Sequence, residues 1–162
     1  VPCLKKGNSL LAPSAPDILK PEILEKGSEW ALIGYGKTVE LMLRARETAR
    51  SLGISPLPTV MDLRCLKPLP EQELRELLTT HSFTVIAEDG YVAGGAGEAI
   101  AAMVRNMTEE RPAEISLMGV PDIFVPQGRI REQEEHCGLT PGKVVNCFVE
   151  FQKRAYRQAA RI

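Results

Sequence analysis

The chain has 162 residues, of which 44% are hydrophobic and 25% charged, and its formal net charge is −1. This length supplies one domain with a core of its own and is too short for two domains of ordinary size. The near-neutral charge gives no reason to expect the strongly basic surface typical of nucleic-acid-binding domains, and no apolar run approaches the ~20 residues that span a bilayer. We therefore expect partners that are neither nucleic acid nor membrane.

Residues 1–28 form the first predicted segment. They contain four prolines in a largely polar context, which predicts an extended leader or linker rather than a packed element. The residues that follow, 29–162, are predicted to form a single domain. The chain begins with Val1 instead of methionine, which favours an origin inside a longer protein.

From residue 30 onward, short apolar runs alternate with segments whose apolar residues recur at helical spacing. The predicted strands are 30–33, 57–63, 83–88 and 115–119. The predicted helices are 38–52, 70–79, 98–107, 129–136 and 140–162. Gly53 is placed to end the first helix, and Thr140 to cap the last. Such alternation predicts an α/β fold, a three-layer α/β/α sandwich with a mostly parallel, mixed sheet of about five strands.

The segment FTVIAEDGYVAGGAG, residues 83–97, carries the strongest functional signal. A buried strand delivers two carboxylates to its carboxyl end, and a glycine-rich loop then leads into a helix. In an open α/β sheet this edge is where ligands and partner subunits are usually bound, and glycines let another group approach the backbone closely. The candidate rim or interface residues are Glu88, Asp89, Gly94, Gly95 and Gly97.

Two glycine patterns imitate nucleotide-binding motifs. Gly36-Lys37-Thr38 resembles the end of a P-loop, but Ala31 stands where that motif needs its first glycine, so a tight strand-to-helix turn is favoured. Gly95-x-Gly97 resembles half of a dinucleotide fingerprint, but Ile100 occupies the third glycine position. The glycines more simply let the helix N-terminus approach backbone or a neighbouring subunit, and a weak anion site at that terminus is the alternative.

The titratable candidates give little evidence of catalysis. Glu88 and Asp89 are adjacent on a strand and so point to opposite faces, which favours solvated or salt-bridged carboxylates over a general acid–base pair. His81, between a helix and a strand, is predicted to be a capping or surface residue. His136 and Cys137 are neighbours on a helix and cannot converge on a metal ion. We therefore predict no catalytic, cofactor-binding or metal-binding residue in this chain.

The four cysteines are scattered and include no C-x-x-C pair. A domain of this size has a core of its own and does not need a disulfide framework. We therefore predict reduced thiols and a cytoplasmic location.

Five sequence blocks occur in an order and spacing that resemble one family. The blocks are ALIGYG (31–36), DLRCLKPLP (62–70), HSFTVIAEDGYVAGGAGEAI (81–100), MGVPDIFVPQG (118–128) and CGLT (137–140). Together they resemble the C-terminal domain of the 1-deoxy-D-xylulose-5-phosphate synthases, within the transketolase superfamily. The resemblance covers roughly residues 27–150 and implies the transketolase C-terminal-domain fold.

The resemblance implies a larger enzyme that uses thiamine diphosphate and a divalent metal such as Mg. That enzyme condenses pyruvate with glyceraldehyde 3-phosphate, releases carbon dioxide and supplies isoprenoid, thiamine and pyridoxal synthesis. In the family, two earlier domains hold the cofactor, and their Gly-Asp-Gly and Asn-Asn signature is absent here, as is the activating glutamate. The third domain contributes structure and dimerisation. We therefore expect this chain alone to bind no cofactor, to be inactive, and to act with the other domains and a second subunit in a homodimer.

Two departures keep alternatives open. Lys67-Pro68-Leu69-Pro70 stands where the family has Lys-Pro-Leu-Asp, and Glu88-Asp89-Gly90 stands where Glu-Glu-Asn is common. The equivalent domain of another thiamine-diphosphate enzyme, a 2-oxo-acid dehydrogenase β-chain or transketolase, is the first alternative. A free-standing interaction or small-ligand-binding module is the second.

Overall fold

The computed structural model of the protein describes residues 20–107 and 112–160. Five strands form a single sheet: β1 (Glu22–Glu25), β2 (Trp30–Gly34), β3 (Thr59–Asp62), β4 (Phe83–Tyr91) and β5 (Glu114–Val120). Their order across the sheet is β1-β3-β2-β4-β5. The four strands from β2 to β5 run parallel, and β1 is antiparallel to β3. The prediction of a mostly parallel, mixed sheet is confirmed.

Five helices accompany the sheet: α1 (Thr38–Ser51), α2 (Glu71–Thr80), α3 (Ala96–Arg105), α4 (Ile130–His136) and α5 (Pro141–Ala159). They begin and end within two residues of the predicted bounds, apart from α5, which ends at Ala159 where the prediction ran to residue 162. Residues 161 and 162 lie outside the described part of the chain. Gly53 ends α1 with φ +70° and donates its N–H to the Arg50 carbonyl at 3.0 Å. Thr140 caps α5 by accepting from the Lys143 N–H at 3.4 Å.

Alternation along the strands creates two cores, one on each face of the sheet. In β2, Trp30 and Leu32 face the core that α1 and α5 cover, whereas Ala31 and Ile33 face the core that α2 and α3 cover. Both faces are therefore apolar, which explains why β2 is buried throughout. The arrangement is the predicted three-layer α/β/α sandwich.

An aromatic cluster fastens α5 to the sheet. The rings of Trp30 and Phe148 are parallel to within 2°, with their centroids 4.3 Å apart. Phe83 stacks on Phe151 one helical turn farther along, at 4.8 Å. The Trp30 indole N–H donates to the Pro56 carbonyl at 2.8 Å, so the polar atom of this buried ring is satisfied.

The first strand lies in a segment that the sequence assigned to an extended leader. Residues 22–25 are extended, as expected, but they pair with β3 and form the edge of the sheet. Side chains from the rest of the domain hold this strand: Arg46 donates to the Lys26 carbonyl at 2.9 Å, and Arg64 pairs with Glu22. The strand is only four residues long, which gives too little alternation to recognise in the sequence. The boundary after residue 28 stays a prediction, and residues 1–19 lie outside the described chain.

Candidate functional site

A buried carboxylate lies on β4, towards the carboxyl edge of the sheet. Glu88, near the end of β4, is only 2% exposed. One carboxylate oxygen, Oε2, accepts from the Ala96 N–H at 3.1 Å and from the Tyr35 hydroxyl at 3.2 Å. The other, Oε1, accepts from the Gly97 N–H at 3.4 Å. Glu88 therefore caps the N-terminus of α3 from a strand, where its negative charge also complements the helix dipole.

Three glycines leave the space that this carboxylate fills. A Cβ at Gly95 would lie 2.0 Å from Glu88 Oε2, and one at Gly97 would lie 3.1 Å from Oε1 and 2.8 Å from Leu117 Cδ2. A Cβ at Gly119, in β5, would lie 3.0 Å from Glu88 Cγ. Gly95 has φ −81°, so its backbone does not demand glycine. The need for glycine arises from the side chain of Glu88.

This geometry corrects the interpretation of Glu88 and of the glycine loop. Glu88 was expected to be solvated or salt-bridged, but it is buried and hydrogen-bonded to a tyrosine and two backbone N–H groups. The helix terminus was considered as a weak anion site, but the chain's own carboxylate already occupies it. The group that approaches Gly95 and Gly97 is likewise a side chain of the same chain.

The remaining two candidates stay on the surface. Asp89 is exposed, as predicted for a solvated carboxylate at the rim of the sheet. Gly94 is also exposed, with φ +77°, and its N–H donates to Glu98 Oε2 at 2.8 Å. The interface role of these residues stays a prediction.

Tyr35 and Thr38 also lie beside the end of β4, although the sequence analysis did not select them as site residues. Thr38 is buried, and its hydroxyl lies 2.8 Å from the Ala87 carbonyl and 2.9 Å from the Tyr35 carbonyl. It ties the start of α1 to the end of β4, so the threonine of the P-loop-like Gly36-Lys37-Thr38 has a structural role. Lys37 pairs with Glu134 of α4, and this hydrogen bond raises the pKa of Lys37.

Burial is the main reason that the pKa of Tyr35 rises from 10.0 to about 12, and the negative charges of Glu88 and Asp89 and the hydrogen bond to Glu88 add to it. Below pH 10 Tyr35 is neutral in both the folded and the unfolded chain. Between pH 10 and about 12 only the unfolded chain releases the proton, so stability falls as pH rises. The free energy of unfolding can be measured with urea at several pH values from about 9 to about 11.5, a range that includes the ordinary tyrosine pKa. Over this range it should fall more steeply with pH for the wild type than for Tyr35→Phe. Parallel declines would contradict the assignment.

The His, Cys, Asp and Glu side chains of the described residues do not gather into a set of metal ligands. Within residues 20–107 and 112–160, no three or more His, Cys, Asp or Glu side chains are arranged so that they could hold a metal ion. His81 is a capping residue, as predicted: one ring nitrogen lies 2.8 Å from the Leu77 carbonyl and the other 2.8 Å from Thr59 Oγ1. His136 is exposed at the end of α4.

Comparison with protein families identifies one match. Residues 19–144 match the model of the transketolase C-terminal domain family.

No helix within the described residues is long and apolar enough to cross a membrane. Cys65, Cys137 and Cys147 are free thiols, as predicted, whereas Cys3 lies outside the described residues.

Curated relatives carry the name 1-deoxy-D-xylulose-5-phosphate synthase. The protein of Azobacteroides pseudotrichonymphae is 34% identical over 128 residues, which cover 78% of this chain and 20% of the relative. That of Actinobacillus pleuropneumoniae is 31% identical over 134 residues, which cover 83% of this chain and 20% of the relative. The chain therefore spans about a fifth of the length of the curated relatives it matches.

Solved structures show the same fold. A split-gene transketolase, described as an inactive β4 tetramer, superposes with a TM-score of 0.74 at 25% identity, covering 86% of this chain and 44% of that one. The transketolase of Campylobacter jejuni superposes with a TM-score of 0.58 at 15% identity, covering 82% of this chain and 19% of that one.

Proposed function

The chain belongs to the transketolase C-terminal domain family, and on this basis we propose that it is the structural and dimerisation domain of a 1-deoxy-D-xylulose-5-phosphate synthase. The proposed whole enzyme condenses pyruvate with glyceraldehyde 3-phosphate and releases carbon dioxide, for isoprenoid precursor synthesis. The free thiols agree with a reducing compartment, and we place the enzyme in the cytoplasm.

The structural role rests on one observation: the chain's own carboxylate, Glu88, bonds the backbone N–H groups at the start of α3. The Glu88 carboxylate fills the N-terminus of α3, where a bound phosphate would otherwise be received. Glu88 therefore acts as a fixed brace between β4 and α3. The chemistry of the enzyme is then supplied by other domains.

The cofactor and partners that we propose follow from assigning the structural role to this chain and the chemistry to other domains. Thiamine diphosphate and Mg would be bound by the other domains of the enzyme, and this chain would bind neither. The curated relatives are about five times as long as the matched region, which supports companion domains in the same polypeptide. A second subunit completes the proposed homodimer, and the split-gene transketolase, of which the match covers 44%, likewise forms an assembly of identical chains.

Transketolase is the second candidate, because the split-gene transketolase shares both the fold and 25% of aligned residues with this chain. The synthase is favoured because its curated relatives reach 31–34% identity over about four fifths of the chain. The two candidates differ in the enzyme that this domain should be able to complete.

A pair of domain exchanges tests the proposal. Residues 20–160 replace the matched region of the Actinobacillus pleuropneumoniae synthase in one chimera and of the Campylobacter jejuni transketolase in the other. We expect the synthase chimera to keep roughly a tenth or more of its parent's kcat/KM and the transketolase chimera to lose roughly a hundredfold or more, because interface contacts must match to position the active-site domains. Deletion of the region from each parent is the control. Activity in the transketolase chimera alone would contradict the synthase assignment.

A further inference from the structure

The edge strand β1 is attached to the domain differently from the strands beside it. Within the described residues it pairs only with β3, and the register of that pairing is interrupted between Ile23 and Glu25. None of its four residues is buried, and Ile23 is 39% exposed, whereas β2 is buried throughout. Apolar burial therefore contributes little to holding β1 on the sheet.

Two arginine side chains hold β1 instead, and the first is Arg46 of α1. Its Nη2 donates to the Lys26 carbonyl at 2.9 Å and lies 3.4 Å from Glu25 Oε2. Arg46 is only 8% exposed, and its Nε and Nη1 atoms are buried with no hydrogen-bond partner among the described residues. A buried cation with unpaired donors is unfavourable, so separation of β1 from α1, which admits water to the guanidinium, removes part of that penalty.

The second arginine, Arg64, holds β1 from the loop after β3. Its side chain pairs with Glu22, and its backbone N–H donates to Asp62 Oδ1 at 3.0 Å. Its φ is +56°, a left-handed conformation that is unfavourable for a residue with a side chain. Such a conformation persists only where the surroundings impose it. Both arginines therefore hold β1 while they are themselves in unfavourable states.

The residues directly after β1 are fixed by the backbone. The Ser28 N–H donates to the Leu57 carbonyl at 3.1 Å, and the Glu29 carbonyl accepts from the Ser82 N–H at 2.7 Å. A Cβ at Gly27 would lie 2.1 Å from the Leu57 carbonyl oxygen, so the chain passes too close to this neighbour to carry a side chain there. The attachment of the chain thus changes at Gly27, from two arginine side chains to close backbone contacts.

From these observations we propose that β1 is a detachable strap. Residues 22–26 separate from β3 and α1 as a unit, with Gly27 and Ser28 as the hinge, while the sheet formed by β2 to β5 remains folded. Opening hydrates Arg46, allows Arg64 to leave its left-handed conformation and takes no buried residue of β1 out of the core. Local openings of this kind occur where few apolar contacts hold a segment.

The position of the strap gives it a use in a larger enzyme. The match to the transketolase C-terminal domain family begins at residue 19, close to the start of β1. In the proposed synthase the other domains precede this one, so opening of the strap lets them change their orientation without unfolding the β2–β5 sheet. This use rests on the proposed function, whereas the opening itself is a property of this chain.

Hydrogen exchange of the full chain, followed by nuclear magnetic resonance at several urea concentrations, tests the opening. After correction for intrinsic rates, we expect the β1 amides that bond to β3 to exchange at least about a hundredfold faster than the amides of β2 and β4. The β1 rates should hardly depend on urea, because opening of five residues exposes little surface, whereas the β4 rates should rise steeply. Equal rates with equal dependence on urea would overturn the proposal.

A substitution in the core distinguishes local opening from unfolding of the whole domain. Ile100 is fully buried on α3, which packs on β4 and β5 at the other side of the sheet from β1. Ile100→Val should accelerate exchange of the β4 amides by about threefold or more and leave the β1 amides unchanged, because opening of the strap breaks none of its contacts. Equal acceleration in β1 and β4 would show that β1 opens only with the whole domain.

A substitution at the strap tests the role of the arginines. Glu22→Ala removes the contact with Arg64 and should accelerate exchange of the β1 amides by about threefold or more. Glu47→Ala is the matched control, since Glu47 also pairs with an arginine, Arg50, but on an exposed face of α1. Unchanged β1 exchange in Glu22→Ala would overturn the proposal. None of these results bears on the proposed synthase function, which the chimeras test separately by activity.

Discussion

Replacement of Phe148 by alanine should lower the free energy of unfolding by about 3–5 kcal/mol. Phe148 has no exposed surface and lies between α5 and the sheet, stacked on Trp30 at 4.3 Å. Its removal loses the free energy of burying the apolar ring and leaves a cavity. The neighbouring rings of Trp30 and Phe83 are held by the sheet and cannot move to fill that cavity. Urea unfolding followed by circular dichroism measures the loss, and fluorescence of Trp30, the single tryptophan, reports the lost ring contact.

Tyr156→Ala is the matched control for this experiment. Tyr156 is an aromatic residue of the same helix, but it is 78% exposed. Its replacement should change the free energy of unfolding by no more than about 0.5 kcal/mol. A loss below about 1 kcal/mol for Phe148→Ala would mean that the aromatic cluster does not hold α5 on the sheet.

Replacement of Gly95 by alanine should cost about 2–4 kcal/mol, more than the small loss expected from alanine in place of glycine at a helix N-cap. The new Cβ would lie 2.0 Å from the Glu88 carboxylate. Glu88 cannot move aside freely, because its stem is packed against Gly119 and its other oxygen against Gly97. It would have to give up hydrogen bonds to the start of α3 while remaining buried, and an unsatisfied buried charge is strongly unfavourable.

A double-mutant cycle separates this clash from any general effect of alanine. In a Glu88→Ala background the obstructing carboxylate is absent, so Gly95→Ala should cost at least about 1 kcal/mol less than in the wild type. Gly90→Ala is the control within β4, since a Cβ at Gly90 meets nothing within 4 Å. Equal costs of Gly95→Ala in both backgrounds would show that Glu88 does not impose the glycine.

Most of the fold could be predicted from the sequence because local patterns specify it. Apolar runs and helical spacing depend on neighbours a few residues apart, and they located β2 to β5 and all five helices. Gly53 and Thr140 act through bonds within a single helical turn, so their capping roles were also visible in the sequence. The five ordered blocks identified the family to which the chain belongs.

The candidate site could be predicted only in part. The sequence placed Glu88, Asp89 and the glycines at the carboxyl edge, and the predicted exposure of Asp89 is confirmed. The burial of Glu88 was missed, because an acidic residue at a strand end is solvated unless something covers it. Here Tyr35 and the first turn of α3 cover it. The edge strand β1 was missed because its fastening comes from Arg46 and Arg64.

The sequence by itself thus determined the strands β2 to β5, the five helices, the sheet class and the family, since each is specified by neighbours along the chain or by ordered motifs. Only the tertiary structure decided that Glu88 braces α3 and that Gly95 is needed to accommodate it. Tyr35 is 53 residues from Glu88, and only the pairing of β2 with β4 brings them together. The surroundings of a buried charge depend on residues that are distant in the sequence, and the order of the strands in the sheet decides which of those residues lie next to it.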